Sequence, residues 1–284
     1  MLALDIQNLN KKYEYFQLKD VSFQLEQGYI MGFIGANGAG KTTTIKSILN
    51  LIRKDSGEIR ILGKRMNEQE VELKQEIGYA FGGVDFYSRN RIKTLTNVIR
   101  PFYKNWDEAT YSNYLRRFNL NENKKITDLS MGMRVKYNLA LALSHGAKLL
   151  ILDEPTSGLD PAARDDLLDI LQELVQDGEI SILFSTHITS DLEKCADYIT
   201  FIDKGQIINS DEKEAFIDAY RLVSGNESQL EQIKDRLIAY KTNSFGFTGL
   251  IHTADYDPTL QLKTSMPTLE DIMIYFSKKE KAHV

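Results

Sequence analysis

The stretch YIMGFIGANGAGKTTT (residues 29–44) decides the fold. It begins with a nearly continuous apolar run that ends in glycine, which is typical of a buried strand. The eight residues GANGAGKT then fit the pattern G-x-x-x-x-G-K-[ST] in full, and the apolar residues that follow recur at helical spacing. Strand, glycine loop and helix in this order predict a loop whose backbone N–H groups surround phosphate oxygens.

Two polar side chains of this loop suit nucleotide chemistry. Lys41 is placed to reach the β- and γ-phosphates, and Thr42 to bring a hydroxyl to Mg²⁺. A plain glycine turn would not account for the lysine, the hydroxyl and the spacing together. A dinucleotide-binding fingerprint needs a different glycine spacing and would leave Lys41 unexplained.

A second motif, KLLILDEPTSGLD (residues 148–160), places two adjacent acids at the exit of a buried strand. Asp153 is suited to the Mg²⁺ shell, and Glu154 to accepting a proton from an attacking water. The alternative is a polar strand end before a proline turn. His187, in LFSTHI, ends the next predicted strand and so falls on the same edge of the sheet, although a histidine considered alone is more often structural there.

Composition narrows the class of protein. With 284 residues, 42% hydrophobic and 26% charged, the chain is ordinary for a soluble globular protein, and its net charge of −5 argues against bulk nucleic-acid binding. Its single cysteine, Cys195, cannot form an internal disulfide and reads as a buried structural thiol in a reducing compartment. The N-terminus lacks the pattern of a secretory signal and the apolar runs are too short to span a bilayer, so we expect any membrane role to need a partner chain.

The order of elements predicts two units. Strands alternate with helices up to about residue 210, which favours a mostly parallel sheet covered on both faces, with a helical insertion at about residues 88–127. Beyond it, we predict helices in EKEAFIDAY, ESQLEQIKDRLIAY (residues 227–240) and MPTLEDIMIYFSKK, and strands in YRLVSG and FGFTGLIHT. The predicted domains are residues 1–211, with a helical subdomain at about 88–145, and a small α+β domain at 212–284.

The segment LSMGM (residues 129–133) precedes a helical pattern. Ser130 is a good N-cap for that helix, so the free backbone donors at its start would face an anion.

In this order and spacing, GANGAGKT, LSMGM, LILDEP, SGLD and STH resemble the nucleotide-binding domain of ABC transporters over nearly all of residues 1–210. The segment FYSRNRIKTLTNVIRPFY resembles bacterial exporter-type members, including drug, peptide and antibiotic-resistance systems. The resemblance implies an α/β fold, with a RecA-like P-loop NTPase core carrying antiparallel β and helical subdomains. It also implies two cofactors, ATP and Mg²⁺.

The resemblance assigns roles to individual residues. Glu154 would be the catalytic base, His187 the γ-phosphate switch, Thr42 and Asp153 the metal ligands, and Tyr13 the aromatic that stacks on adenine. The remaining nucleotide-binding positions would be Gly35, Asn37, Gly38, Ala39, Gly40, Lys41, Thr42 and Thr43 in the Walker A loop, Ser130 and Gly132 in the signature, and Asp160 in the D-loop.

The resemblance also implies a head-to-tail dimer, in which Ser130 would face an anion of the partner subunit's site. Ser130 and the Gly132 amide would donate to the γ-phosphate of ATP bound by the partner subunit. Two departures stand out: Met131 and Met133 replace residues of the usual LSGGQ signature, and Gly82 stands where the family usually has a glutamine that touches Mg²⁺. Asp85 or water would have to replace that ligand.

The sequence therefore predicts an ATP-binding and ATP-hydrolysing subunit that powers a separate membrane permease, and the exporter-type resemblance implies export. It would dimerise with itself or with another ATP-binding subunit, bind no nucleic acid, and sit on the cytoplasmic face of the membrane through the permease. The alternatives are a soluble ABC-type ATPase acting on DNA or ribosomes, and a regulatory module that clamps ATP with little turnover. A P-loop GTPase is disfavoured because the chain has no N-K-x-D stretch to read guanine.

Overall fold

The computed structural model describes residues 1–81 and 89–278 of the chain. Within these ranges the strands are Leu2–Lys12 (β1), Gln17–Glu26 (β2), Ile30–Ile34 (β3), Ser56–Ile61 (β4), Lys64–Arg65 (β5), Ile77–Phe81 (β6), Leu149–Asp153 (β7), Ser181–Thr186 (β8), Tyr198–Asp203 (β9), Gln206–Glu212 (β10), Tyr220–Gly225 (β11), Leu237–Asn243 (β12), Gly246–His252 (β13) and Lys263–Ser265 (β14).

The α-helices of the same ranges are Lys41–Ile48 (α1), Glu70–Leu73 (α2), Ile92–Ile99 (α3), Glu108–Arg117 (α4), Met131–Ser144 (α5), Pro161–Leu174 (α6), Thr189–Cys195 (α7), Lys213–Asp218 (α8), Glu227–Ile233 (α9) and Leu269–Lys278 (α10). Single 3₁₀ turns occupy Arg100–Phe102, Ile126–Asp128, Lys234–Arg236, Thr253–Asp255 and Pro258–Leu260.

The described strands form three sheets. The central sheet has the order β10-β9-β3-β8-β7-β6, with parallel pairing from β9 to β6 and an antiparallel edge strand β10. An antiparallel sheet of order β2-β1-β4-β5 covers one side, and a second antiparallel sheet, β12-β13-β11-β14, is built from the C-terminal part of the chain. The predicted α/β fold with a mostly parallel core sheet is confirmed.

The central sheet is buried on both faces, as its continuous apolar runs predict. In β3, Ile30 and Ile34 belong to one hydrophobic cluster with Leu150 and Phe184, while Met31 and Phe33 belong to another cluster with the antiparallel sheet of β1. Successive side chains of a strand point to opposite faces, so one short strand serves both cores.

The parallel register brings three loops to one edge of this sheet. Ile34 at the end of β3 is opposite Thr186 at the end of β8, and Asp153 at the end of β7 is opposite Ser185. The segments that follow these strands carry the glycine loop, Glu154 and His187, so their side chains meet at the carboxyl edge of the sheet.

One predicted helix in the C-terminal part is wrong. The pattern of residues 227–240 predicts one helix, but α9 ends at Ile233, a 3₁₀ turn follows, and β12 starts at Leu237. The apolar side chains of Leu237 and Ile238 fit helical spacing as well as a strand, and the backbone hydrogen bonds to β13 decide in favour of the strand.

The C-terminal sheet shares a hydrophobic core with the rest of the chain. Phe276 of α10 lies edge-on to Phe201 of β9, with ring centroids 5.2 Å apart, and also to Tyr220 of β11. The backbone N–H of Leu269 at the start of α10 donates to the Glu193 carboxylate of α7 at 3.1 Å. Thus α10 lies between the C-terminal sheet and the helix that follows His187.

Candidate functional site: a phosphate-binding cavity

The glycine loop between β3 and α1 leaves backbone donors free at the start of a helix. Gly40 is the N-cap of α1, so no side chain caps the helix there. Its φ of 116° lies in the region that favours glycine, and a Cβ at this position would lie 2.8 Å from the Leu18 side chain. The free N–H groups and the positive end of the helix dipole are suited to an anion.

Lys41 places a buried ammonium inside this loop. Its Nζ donates to the carbonyl oxygen of Gly35 at 2.7 Å and to that of Ala36 at 3.3 Å, and lies 3.6 Å from Glu154 Oε1. Burial lowers the pKa of Lys41, and the negative charges of Glu154 and Asp153 oppose that shift. The cation is therefore held at the loop by carbonyl oxygens that phosphate oxygens can replace.

Thr42 and Asp153 face each other beside the lysine. The Thr42 hydroxyl donates to Asp153 Oδ2 at 3.0 Å, whereas Asp153 Oδ1 is buried and has no hydrogen-bond partner among the described residues. Burial raises the pKa of Asp153, and the hydrogen bond from Thr42 and the nearby Lys41 ammonium oppose that shift. A buried acceptor with no protein donor is suited to a cation or its bound water.

Within the described residues, no group of three or more His, Cys, Asp or Glu side chains forms a ready metal centre. Mg²⁺ prefers oxygen ligands and usually keeps several waters, binding through one or two protein oxygens together with substrate phosphates. The pair of Thr42 and Asp153 beside a phosphate-binding loop fits that mode.

Glu154 and His187 are in direct contact. His187 Nδ1 lies 2.8 Å from Glu154 Oε2. Glu154 has a φ of 54°, an uncommon conformation for a side chain with a Cβ, and its backbone N–H donates to Ser185 O at 2.8 Å. Such backbone strain costs about 1–3 kcal/mol and persists only where the surroundings hold it, often at functional sites.

Lys41, Thr42, Glu154 and His187 line one cavity of about 580 Å³, a volume within the range of small-molecule and cofactor sites. Asp153 is not among the lining residues and reaches the site through its hydrogen bond with Thr42. The lining residues are Tyr15, Phe16, Ala36, Asn37, Gly38, Gly40, Lys41, Thr42, Thr43, Glu154, Ser157 and His187. The cavity thus combines hydrogen-bond donors suited to phosphate with two aromatic side chains. Tyr15, Phe16, Ala36 and Ser157 were not among the predicted site residues, although the two aromatics follow closely on the predicted Tyr13.

Three predicted nucleotide-binding residues of the N-terminal region are not in the lining. Tyr13 is 44% exposed, with the Lys11 ammonium 5.4 Å from its ring centroid. Ala39 is buried, and its carbonyl accepts a hydrogen bond from the Gly205 N–H at 2.8 Å. Gly35 contributes the carbonyl that holds Lys41. The role of Tyr13 stays a prediction, and the aromatic residues of the lining are Tyr15 and Phe16.

The predicted signature residues lie away from this cavity. Ser130 caps α5, accepting from the Met133 N–H at 3.3 Å, and is exposed. Gly132 is buried, and a Cβ there would lie 3.6 Å from side-chain atoms of Leu159 and Ala163. Asp160 caps α6 by accepting from the N–H groups of Ala162 and Ala163. The starts of α5 and α6 are therefore neighbours, and their polar groups do not reach the phosphate loop of the same chain.

Two positions discussed for the metal, Gly82 and Asp85, lie outside the described residues. A search of the helices that the structure describes finds no segment with the length and apolar character needed to cross a bilayer.

The comparisons with known proteins agree on one family. The family model described as ABC transporter matches residues 18–157. The chain is 34% identical over 208 residues to the ABC transporter ATP-binding protein YtrB of Bacillus subtilis (strain 168), covering 72% of this chain and 70% of YtrB. It is 35% identical over 194 residues to the bacitracin transport ATP-binding protein BcrA of Bacillus licheniformis, covering 66% of this chain and 62% of BcrA.

A solved structure has the same fold over most of its length. It is described as the ATP binding subunit of an ABC transporter and superposes with a TM-score of 0.68 at 29% identity, covering 75% of this chain and 91% of the solved one.

Proposed function

This chain belongs to the ABC transporter family of ATP-binding proteins, and we propose that it binds Mg-ATP in the cavity at the carboxyl edge of its central sheet. The family's ATP-binding subunits are ATPases whose hydrolysis is coupled to transport, and this chain is one of them. The observation that carries the site assignment is that Lys41, Thr42, Glu154 and His187 line one cavity.

The glycine loop would bind the triphosphate. The backbone N–H groups at the start of α1 would donate to phosphate oxygens, and Lys41 would exchange its contacts with the Gly35 and Ala36 carbonyls for the β- and γ-phosphates. Thr42 and Asp153 would hold Mg²⁺, which supplies positive charge against the phosphate oxygens when bound.

Glu154 and His187 would act at the γ-phosphate. Glu154 would accept the proton of the attacking water, and its Oε1 lies 3.6 Å from the Lys41 ammonium that would bind the γ-phosphate. His187, in contact with the other carboxylate oxygen, would orient Glu154 and reach the γ-phosphate. The adenine would stack on an aromatic side chain at the cavity, for which the family resemblance assigns Tyr13. The cavity lining contains Tyr15 and Phe16, and we favour Tyr15 because its ring is exposed whereas Phe16 is partly buried.

The second half of the site would come from another subunit. Ser130, Gly132 and Asp160 lie together at the starts of α5 and α6 and do not line the cavity of their own chain. The Ser130 oxygen accepts from Met133, which leaves its hydrogen free to donate to a phosphate. A head-to-tail pair, of this chain with itself or with a related ATP-binding subunit, would bring Ser130 to the partner's γ-phosphate.

ATP hydrolysis would drive a separate membrane permease, with this chain bound at its cytoplasmic face. The relative named for bacitracin transport supports a role in export, since the sequence also resembles exporter-type members. The permease partner, the direction of transport and the location at the membrane are proposals.

We retain the division into residues 1–211, with a helical subdomain at about 88–145, and residues 212–284 as a proposal. The helices α3, α4 and α5 fall within the proposed subdomain, where the Thr96 hydroxyl lies 2.7 Å from Tyr111 OH and 2.9 Å from Tyr137 OH. The antiparallel sheet of β11–β14 accounts for most of the C-terminal unit. We propose that this unit stabilises a dimer or contacts a regulator.

Steady-state ATPase measurements on the full chain, with and without the co-expressed permease, test the proposed function. We expect Mg-dependent hydrolysis by the wild type, and retained Mg-ATP binding with stalled hydrolysis in Glu154→Gln, since the amide keeps the shape but cannot accept the proton. Tight ATP binding with no turnover in either setting would instead favour the regulatory module.

A further inference from the structure

One buried carboxylate, Asp191, joins separate segments around the site. Its side chain is only 2% exposed. Oδ1 accepts a hydrogen bond from Arg164 Nε, and Oδ2 accepts one from the Thr156 hydroxyl at 2.6 Å. Arg164 also donates through Nη2 to the Ser190 hydroxyl at 2.9 Å. Both oxygens of the carboxylate are therefore engaged, which a buried charge requires.

Each member of this network follows a residue of the proposed site by a short distance along the chain. Thr156 comes two residues after Glu154, Arg164 four after Asp160, and Asp191 four after His187. Thr156 is 1% exposed and belongs to the turn after β7, while Arg164 belongs to α6 and Asp191 to α7. The hydrogen bond from Thr156 to Asp191 thus links the turn that carries Glu154 to the helix that begins just after His187.

The neighbouring ion pair between α6 and α7 has no such link. Lys194 of α7 lies 2.6 Å from Asp165 and 2.8 Å from Asp169 of α6, at the exposed surface. It joins the same two helices as Arg164 and Asp191 do, but it does not contact the turn after Glu154. Lys194 therefore serves as a matched control for the general effect of loosening this helix pair.

We propose that Asp191 is a positioning residue for ATP hydrolysis: through Thr156 it holds the turn after Glu154 against α7 and so fixes the contact between Glu154 and His187. The inference rests on the proposed roles of Glu154 and His187. A displacement of the base by about 1 Å can lower a rate by as much as about 100-fold, so a group that fixes this geometry acts on kcat. Neither Asp191 nor Thr156 is required to touch nucleotide.

The first test compares Thr156→Val with Thr156→Ser in the full chain. Valine has the shape of threonine but lacks the donor to Asp191, whereas serine keeps it. We expect Thr156→Val to lower kcat by about 10-fold or more with the affinity for Mg-ATP little changed, since misplacing the base affects the chemical step. Thr156→Ser and the control Lys194→Gln should stay near the wild type. Asp191→Asn, which removes the charge paired with Arg164, should behave like Thr156→Val.

The second readout is the pair of ring nitrogen signals of His187 in ¹⁵N NMR, assigned with His187→Ala among the four histidines of the chain. Thr156→Val should shift these signals, because the contact of Nδ1 with Glu154 is lost, and Lys194→Gln should not. This readout does not depend on turnover, so it also tests a chain that hydrolyses slowly.

The inference is overturned if Thr156→Val keeps the wild-type kcat, if Lys194→Gln lowers kcat as much, or if the His187 signals are the same in Thr156→Val and the wild type. Absence of Mg-dependent hydrolysis in the wild type would contradict the proposed function, and full activity of His187→Ala would contradict the proposed role of His187 and with it this inference. Full activity of Thr156→Val beside an impaired His187→Ala would contradict the inference alone.

Discussion

His187 Nδ1 lies 2.8 Å from Glu154 Oε2, although the two residues are 33 positions apart in the chain. The contact follows from the parallel pairing of β7 and β8, in which Asp153, the last residue of β7, is opposite Ser185, one residue before the end of β8. The proposed base and the residue proposed to orient it are thus in contact within a single chain. A partner subunit would supply further hydrogen-bond donors to the phosphate, but it is not needed to bring Glu154 and His187 together.

Replacing Lys41 by alanine should weaken Mg-ATP binding by about 10-fold or more, since a hydrogen bond to a charged group contributes about 1.5–3 kcal/mol. Isothermal titration measures the affinity. Lys46→Ala is the matched control, because Lys46 lies on the same helix α1 but does not line the cavity. Equal affinities of Lys41→Ala and the wild type would contradict the phosphate-loop assignment.

The variant Glu154→Gln should form a dimer in Mg-ATP and a monomer without nucleotide, unless the C-terminal unit already holds it dimeric. Adding Ser130→Arg should abolish the ATP-dependent dimer, because the larger side chain occupies the space of the partner's γ-phosphate, while ATP binding to one chain persists. Size exclusion with light scattering measures the oligomeric state of both variants, and a nucleotide titration measures their ATP binding in parallel. Ser112→Arg, on the exposed side of α4, is the control. If Ser130→Arg leaves the ATP-dependent dimer unchanged, LSMGM only caps α5 and Ser130 does not contact the partner's nucleotide.

Tyr15→Ala should lower the affinity for ATP more than Tyr13→Ala, because Tyr15 lines the cavity and Tyr13 does not. Stacking of a base on an aromatic side chain contributes about 1–3 kcal/mol, so the loss should be about 10-fold. Titration of both variants with ATP and with inorganic triphosphate separates stacking from phosphate binding. A larger loss in Tyr13→Ala, seen with ATP only, would restore the assignment that the family resemblance implies.

A chain truncated after residue 211 should still bind ATP, because the described cavity residues all lie upstream. It should unfold at a lower temperature, since removing α10 exposes the Phe201 ring that Phe276 covers. Calorimetry and nucleotide titration measure the two effects. Complete loss of binding in a folded truncated chain would contradict the separate C-terminal unit.

The Cys195 thiol should resist alkylation in the native protein at pH 8. It is 4% exposed, and burial raises its pKa to about 12, so the reactive thiolate is scarce at that pH. Mass spectrometry after iodoacetamide treatment should show modification only once denaturant unfolds the chain. Rapid modification of the native protein would contradict the interpretation of Cys195 as a structural thiol.

Much of the cavity could be predicted from the sequence because its groups sit at fixed distances along the chain from recognisable strands. GANGAGKT places Lys41 and Thr42 at the start of a helix by local geometry alone, and the apolar run of residues 149–152 places Asp153 and Glu154 at a strand end. A continuous apolar strand also predicts burial on both faces, and β3 contributes to two cores.

Other features were decided only by the tertiary structure, because they depend on which distant segments of the chain come into contact. Residues 237–240 fit a helix or a strand, and the pairing of Leu237–Asn243 with β13 makes them part of a strand. The identity of the aromatic side chain at the cavity depends on the path of residues 13–16 past the phosphate loop. The hydrogen bond of Thr156 to Asp191 joins positions 35 apart, and no local pattern relates them. The sequence by itself determined the chemistry of the loop and the two acids, because local periodicity and spacing specify them; the strand order decided which of these groups share a cavity, because contacts between distant segments exist only after the sheet has formed.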